Sequence, residues 1–81
     1  RKAFDAMEDF RPYIGMPEGI VREYKVVMKD VNFIAYGFVR VENGYKVYLP
    51  TRLFITTASY INARFPRAIY TKNGKVAAIK W

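Results

Sequence analysis

Residues 64–81, RFPRAIYTKNGKVAAIKW, decide how the last part of this chain folds. Within them, Asn73-Gly74 separates two runs that are rich in β-branched and aromatic residues. A tight type I′ turn requires positive φ at both central positions, and an Asn-Gly pair adopts that conformation more readily than most pairs. The same pair recurs as Asn43-Gly44 between two similar runs. The sequence therefore predicts two β-hairpins.

The segment between the hairpins has the spacing of an amphipathic helix. Phe54 and Ala58 begin a series of apolar residues separated by four, three and four positions, which places them on one helical face. Thr51 is suited to cap the N-terminus of this helix, and Pro66 to stop it. The pattern predicts a helix over residues 52–64.

The first half of the chain predicts another helix and two more strands. Residues 2–10, KAFDAMEDF, carry an apolar helical stripe that Pro12 ends. From Ile20 onward Val, Tyr and Phe predominate, which predicts strands over residues 20–29 and 31–41. The expected fold class is α+β, an antiparallel sheet of about five strands with two helices in the order α-β-β-β-α-β-β.

The length and composition predict one packed domain. The chain has 81 residues, of which 52% are apolar, enough for one core but not for two. We expect a single domain over residues 1–81, and because the first residue is Arg1 rather than methionine, this domain can belong to a longer chain. No apolar stretch approaches the roughly 20 residues that cross a bilayer, and no signal-peptide pattern is present. We therefore expect a cytoplasmic, intracellular protein with no membrane partner.

The residue types exclude most familiar catalytic sites. The chain contains no cysteine and no histidine, which removes the commonest zinc ligands, the usual general base and the thiol nucleophile. Ser59 is the only serine, and no glycine-rich phosphate-binding motif occurs. We expect no catalytic residues, no cofactor and no metal, so the protein is predicted not to be an enzyme.

The positive charge is concentrated in the second half of the chain. The net charge is +7, and residues 1–42 contain all of the acids, balanced by an equal number of bases. Residues 43–81 contain basic side chains only. An acid-free half favours an anionic partner, because soluble surfaces normally mix both signs. The residues predicted to contact phosphates are Lys46, Arg52, Arg64, Arg67, Lys72, Lys75 and Lys80.

The last hairpin brings some of these charges together. With Asn73-Gly74 in the turn, Lys72 is expected to face Lys75, and Arg67 to face Lys80. Like charges directly opposite each other are destabilising, and an anionic ligand would relieve that repulsion. The alternative is that these lysines are solvated and protect an edge strand from aggregation.

Aromatic residues accompany the charges on the predicted sheet. Aromatic rings next to cations are the arrangement that stacks the bases of single-stranded nucleic acids. The stacking candidates are Tyr36, Phe38, Tyr48 and Tyr70. An ordinary core position is the alternative for each of these rings.

One short segment resembles a known RNA-binding motif. IAYGFVRV, residues 34–41, resembles the RNP1 segment of RNA-recognition-motif domains. The residues from Tyr36 to Val39 fit that pattern, whereas Ile34, Ala35 and Val41 depart from it. The resemblance covers eight residues, and the predicted element order differs from the βαββαβ order of that family. It implies base stacking by Tyr36 and Phe38.

These patterns predict a small basic protein that binds nucleic acid, either DNA or RNA, with single strands favoured. Two alternatives remain open. One is a protein-interaction or oligomeric assembly module, including a homodimer, that binds no nucleic acid. The other is a metal-dependent nuclease that uses the acidic cluster Asp5, Glu8 and Asp9.

Overall fold

The computed structural model describes residues 4–5, 11–28 and 31–81 and has the α+β architecture expected from the sequence. Two helices are interspersed with short strands in nearly the predicted order. The elements are β1 (Phe4–Asp5), α1 (Glu18–Glu23), β2 (Lys25–Met28), β3 (Val31–Ile34), β4 (Tyr36–Glu42), β5 (Tyr45–Pro50), α2 (Arg52–Ile61), β6 (Ala68–Lys72) and β7 (Lys75–Lys80).

The strands form two sheets rather than the expected single sheet. One has the order β1-β2-β3 and the other has the order β4-β5-β6-β7. Strands β1 and β2 are parallel, and all other neighbours are antiparallel. The predicted strand 31–41 is divided at Ala35, whose backbone bonds to Tyr24 O and Thr51 N instead of continuing a ladder. The chain therefore passes from one sheet to the other at this residue.

The N-terminal part differs most from the sequence-based expectation. Phe4–Asp5 form a strand, and the rest of the predicted helix 2–10 lies outside the described residues. Residues from Glu18 to Glu23 are helical, although a strand was expected from Ile20. Pro17, with φ of −58°, directly precedes this helix, and a fixed φ near this value favours a helix start. Burial of Val21 against the core then outweighs its β propensity.

Both Asn-Gly turns are confirmed. Asn43 and Asn73 each have φ of 55°, and the glycines that follow also have positive φ. Near the turns the strands pair regularly: Lys72 lies opposite Lys75, as predicted, and Val41 lies opposite Lys46.

Farther from the turns, a β-bulge in each hairpin shifts the register by one residue. The bulges fall at Val39 and Ala77. As a result Lys80 lies opposite Ala68, and the predicted direct pairing of Arg67 with Lys80 is wrong.

Helix α2 begins as predicted and ends early. The Thr51 hydroxyl accepts a hydrogen bond from Phe54 N at 3.3 Å, which confirms the N-cap. The helix ends at Asn62, which has left-handed backbone angles with φ of 61°. Asparagine tolerates this conformation better than most residues, so the chain turns before it reaches Pro66.

The core lies between the helices and one face of the four-stranded sheet. The ring of Phe54 contacts the rings of Tyr24, Tyr36 and Phe65 at centroid distances of 6.1, 5.5 and 4.8 Å. Buried Ile69 and Val76 extend this cluster along the sheet. Within the described ranges, neither helix is long and apolar enough to cross a membrane.

Candidate nucleic-acid interface

A groove of about 840 Å³ lies beside the C-terminal end of α2. It combines cationic and apolar side chains from four separate parts of the chain. We define the basic groove by Arg11, Leu49, Arg64, Phe65, Arg67 and Trp81. The groove therefore forms only when the chain folds, because no single sequence motif contains these residues.

Backbone geometry positions the side chains of the groove. After Asn62 reverses the chain, Ala63 N donates to Ala58 O at 2.8 Å, which holds the segment that carries Arg64 and Phe65. Arg67 N donates to Lys80 O at 2.7 Å, so Arg67 lies beside the end of β7 and close to Trp81. The groove is anchored because the Phe65 ring packs on the core ring of Phe54.

The basic groove is electrostatically suited to anions. Three guanidinium groups line it, and no acid is found among the described residues that line it. Guanidinium groups bind phosphate oxygens through two parallel hydrogen bonds and are charged at any physiological pH. Arg67 and Trp81 are both exposed, so a ligand can reach a cation and an indole ring together.

A second basic surface lies on the four-stranded sheet. Successive side chains of a strand point to opposite faces, and the pairing register shows which residues share a face. We call the side opposite Tyr48 and Ile69 the lysine face, defined by Arg40, Glu42, Tyr45, Leu49, Tyr70, Lys72, Lys75 and Lys80. Lys72 Nζ lies 5.0 Å from the centroid of the Tyr45 ring, a cation–π contact. Leu49 belongs to both surfaces, so the lysine face adjoins the basic groove.

The predicted phosphate-binding residues are divided among several places. Arg64 and Arg67 lie in the basic groove. Lys72, Lys75 and Lys80 lie on the lysine face. Arg52 is exposed at the start of α2 and Lys46 is beside Glu18, and neither is among the residues lining the groove.

The structure contradicts the predicted stacking role of two of the four candidate residues, Tyr36 and Tyr48. Tyr36 and Tyr48 are 1% and 2% exposed because both helices cover their side of the sheet. The Tyr36 hydroxyl donates to Pro66 O at 2.6 Å, and the Tyr48 hydroxyl donates to Glu18 Oε2. Neither ring can receive a base. The stacking that the RNP1 resemblance implied for Tyr36 is therefore excluded.

The other two stacking candidates do not lie together. Phe38 is 52% exposed and packs edge-on against Tyr48, on the helix side of edge strand β4. Tyr70 is half-buried on the lysine face.

Glu18 is a partner of both the exposed Lys46 and the buried Tyr48. Its buried carboxylate accepts the Tyr48 hydrogen bond and lies 3.5 Å from Lys46 Nζ and 3.8 Å from Arg22 Nη1. Burial alone raises the pKa of Glu18, but the Tyr48 hydrogen bond and the two cations outweigh it and hold the pKa below its ordinary value. Burial and the bond to Glu18 raise the pKa of Tyr48. Burial also raises the pKa of Tyr36 far above that of a free tyrosine.

Sequence reasoning missed two contributors to the groove. Arg11 belongs to the half of the chain whose charges balance, so nothing singled it out. Trp81 follows a strand that the sequence identified, but its proximity to Arg64 and Phe65 arises only on folding. The sequence feature that could have indicated Trp81 is the clustering of aromatic residues with cations near the C-terminus.

The acidic cluster considered for metal binding is not described: Glu8 and Asp9 lie outside the described residues, as does the side chain of Asp5. Elsewhere in the described part of the chain, no group of three or more carboxylate, histidine or cysteine side chains is arranged to hold a metal ion. Comparisons with protein-family models, curated proteins and solved structures gave no match for this chain.

Proposed function

We propose that this protein binds single-stranded DNA or RNA through the basic groove, without catalysing a reaction. The observation that carries the proposal is the combination of three arginines with Trp81 and Phe65 in a groove where none of the described lining residues is acidic. Phosphate oxygens are the anionic groups that a nucleic acid offers to such arginines. The exposed indole supplies a surface on which a base can stack.

A single strand fits this site better than a duplex. Stacking on Trp81 requires an unpaired base, because the bases of a duplex are stacked on one another. Trp81 is 53% exposed, lines the groove together with the arginines and directly follows Lys80, the last residue of β7. Backbone phosphates on either side of a stacked base can then contact Arg67 and Lys80.

The lysine face extends the binding surface beyond the groove. Leu49 connects the two, and Lys72 beside the Tyr45 ring continues the pattern of an aromatic ring next to a cation. A strand longer than the groove would follow this face and add phosphate contacts. The affinity is therefore expected to rise with oligonucleotide length before reaching a plateau.

The decisive experiment uses Trp81, the only tryptophan of the chain, as an internal reporter. Titration with single-stranded oligonucleotides should quench its fluorescence, whereas a blunt duplex should quench it far less. If the three groove arginines each contact one phosphate, the logarithm of affinity should fall against log salt with a slope of about −2. Absence of quenching and of binding at low salt would refute the proposal.

Charge reversal in the groove provides a matched test. Arg67→Glu should weaken single-strand binding at least about tenfold and make the salt slope about 0.7 shallower, because one phosphate contact is lost. Lys25→Glu changes the charge equally on an exposed strand residue outside the groove. Equal losses for the two variants would show non-specific attraction to the net charge instead of binding in the groove.

The stacking role is tested separately. Trp81→Ala should cost about 1 to 3 kcal/mol of binding free energy, the range found for one stacked base. Tyr60→Ala is the control, because Tyr60 is 85% exposed and does not line the groove. Anisotropy of a labelled oligonucleotide gives both affinities without relying on the tryptophan.

A further inference from the structure

The two edges of the four-stranded sheet are unequal. At β7, Gly15 N and Met16 O hydrogen-bond to Val76 at 2.8 Å each, and Pro17 bridges to Lys75. Edge strand β4 receives no comparable cover from the described residues. It also lacks lysine and proline, which commonly protect an edge.

The β4 edge exposes apolar side chains. Val39 and Val41 are 48% and 62% exposed, and Phe38 is 52% exposed. Exposed β-branched residues along an unpaired edge are a template for pairing with another strand. A partner would cover apolar surface and satisfy backbone groups at the same time.

The hairpin geometry shows which backbone groups are available. Glu42 and Tyr45 flank the two-residue turn, and such a pair exchanges both of its hydrogen bonds across the hairpin. Val41 is the next residue, so its N–H and C=O point away from β5. They can form a pair of hydrogen bonds with an identical residue on a second chain.

We propose that two copies of this chain pair antiparallel through β4, with Val41 opposite Val41 at the two-fold axis. In this register Arg40 of each copy faces Glu42 of the other. Both side chains are about half exposed, and within one chain their charged atoms already lie 3.7 Å apart. The edge is therefore complementary to itself in charge, which favours a second copy over an unrelated strand.

The proposed pair has two structural consequences. Residues directly opposite each other across an antiparallel pair share a face, so the lysine faces of the two copies lie on the same side of one continuous eight-stranded sheet. The bulge at Val39 ends regular pairing after a few residues. The contact is short, so association is expected to be weak and to depend on protein concentration.

Sedimentation equilibrium over a concentration series tests the proposal, together with amide hydrogen exchange at each concentration. The average mass should rise toward twice that of the chain, and exchange of the Val41 amide should slow in parallel. A monomer at every concentration would overturn the proposal. So would a dimer in which exchange at Val41 does not change.

Charge exchange tests the register. Arg40→Glu should weaken self-association about tenfold or more, since two symmetric attractive pairs become repulsive. The double variant Arg40→Glu with Glu42→Arg should restore it. Arg52→Glu is the control, because it makes the same charge change on an exposed residue outside β4. Dimerisation that Arg40→Glu leaves intact, or that the double variant does not restore, would overturn this register.

Discussion

Replacing Tyr48 with phenylalanine isolates one of the hydrogen bonds that hold α1 against the four-stranded sheet. The change removes only the hydroxyl that donates to Glu18 Oε2, in a residue that is 2% exposed. Glu18 keeps Lys46 and Arg22 as neighbours, so its charge is not left without partners. The loss is then that of one buried hydrogen bond to a charged acceptor.

The expected magnitude depends on pH. A hydrogen bond to an ionised group contributes about 1.5 to 3 kcal/mol, and a neutral one about 1 kcal/mol. Tyr48→Phe should therefore lower the free energy of unfolding by about 2 kcal/mol at pH 7. Because the fold lowers the pKa of Glu18, the stabilisation is complete above the ordinary pKa of a glutamate and is lost as pH falls through the lower, folded value. Near pH 2 the cost should shrink to about 1 kcal/mol.

At alkaline pH the stability changes with pH in the opposite direction. The fold raises the pKa of Tyr48, so its contribution is complete below the ordinary tyrosine pKa of about 10 and is lost as pH rises through the higher, folded value. Wild-type protein should therefore lose more stability than Tyr48→Phe above this pH.

Urea denaturation of both proteins across this pH range measures these differences. Tyr60→Phe, at an 85% exposed tyrosine, is the matched control and should change stability by a few tenths of a kcal/mol at most. The reasoning is refuted if the cost of Tyr48→Phe is the same at low and neutral pH, or no larger than that of Tyr60→Phe.

Two further predictions concern the core. Thr71→Val should raise the free energy of unfolding by about 1 kcal/mol in thermal or urea denaturation, because the buried Thr71 hydroxyl has no hydrogen-bond partner among the residues that the structure describes. A loss of stability would mean that this hydroxyl is bonded in solution. Phe54→Ala should cost about 3 to 5 kcal/mol, since its ring contacts three other aromatic rings. Because the groove residue Phe65 packs on Phe54, the same variant should also bind oligonucleotides more weakly under conditions where it remains folded. An unchanged affinity would show that Phe54 does not position the groove.

The sequence was informative wherever structure depends on neighbouring residues. The Asn-Gly turns were predictable because each requires positive φ at two adjacent positions, and the Thr51 cap because it acts within one helical turn. The bulges at Val39 and Ala77 were not, because they depend on how the strands twist against the rest of the sheet.

The candidate site was less predictable than the fold. Alternation alone placed Tyr36 and Tyr48 on a strand but could not show which face the helices would cover. In the structure Phe54 of α2 packs on Tyr36 and Glu18 of α1 bonds to Tyr48, so the helices cover the face that carries both tyrosines. The basic groove unites residues from 11 to 81, and no local pattern links such distant positions.

The bulge at Ala77 determines how the last hairpin distributes its charge. In a regular ladder Arg67 and Lys80 would lie opposite each other on one face, and their repulsion would act across the strands. The extra residue turns Lys80 toward the lysine face beside Ala68, while Arg67 remains in the groove. The extra residue Ala77 thus places the two cations on different, adjoining surfaces at the same end of the sheet, instead of opposite each other.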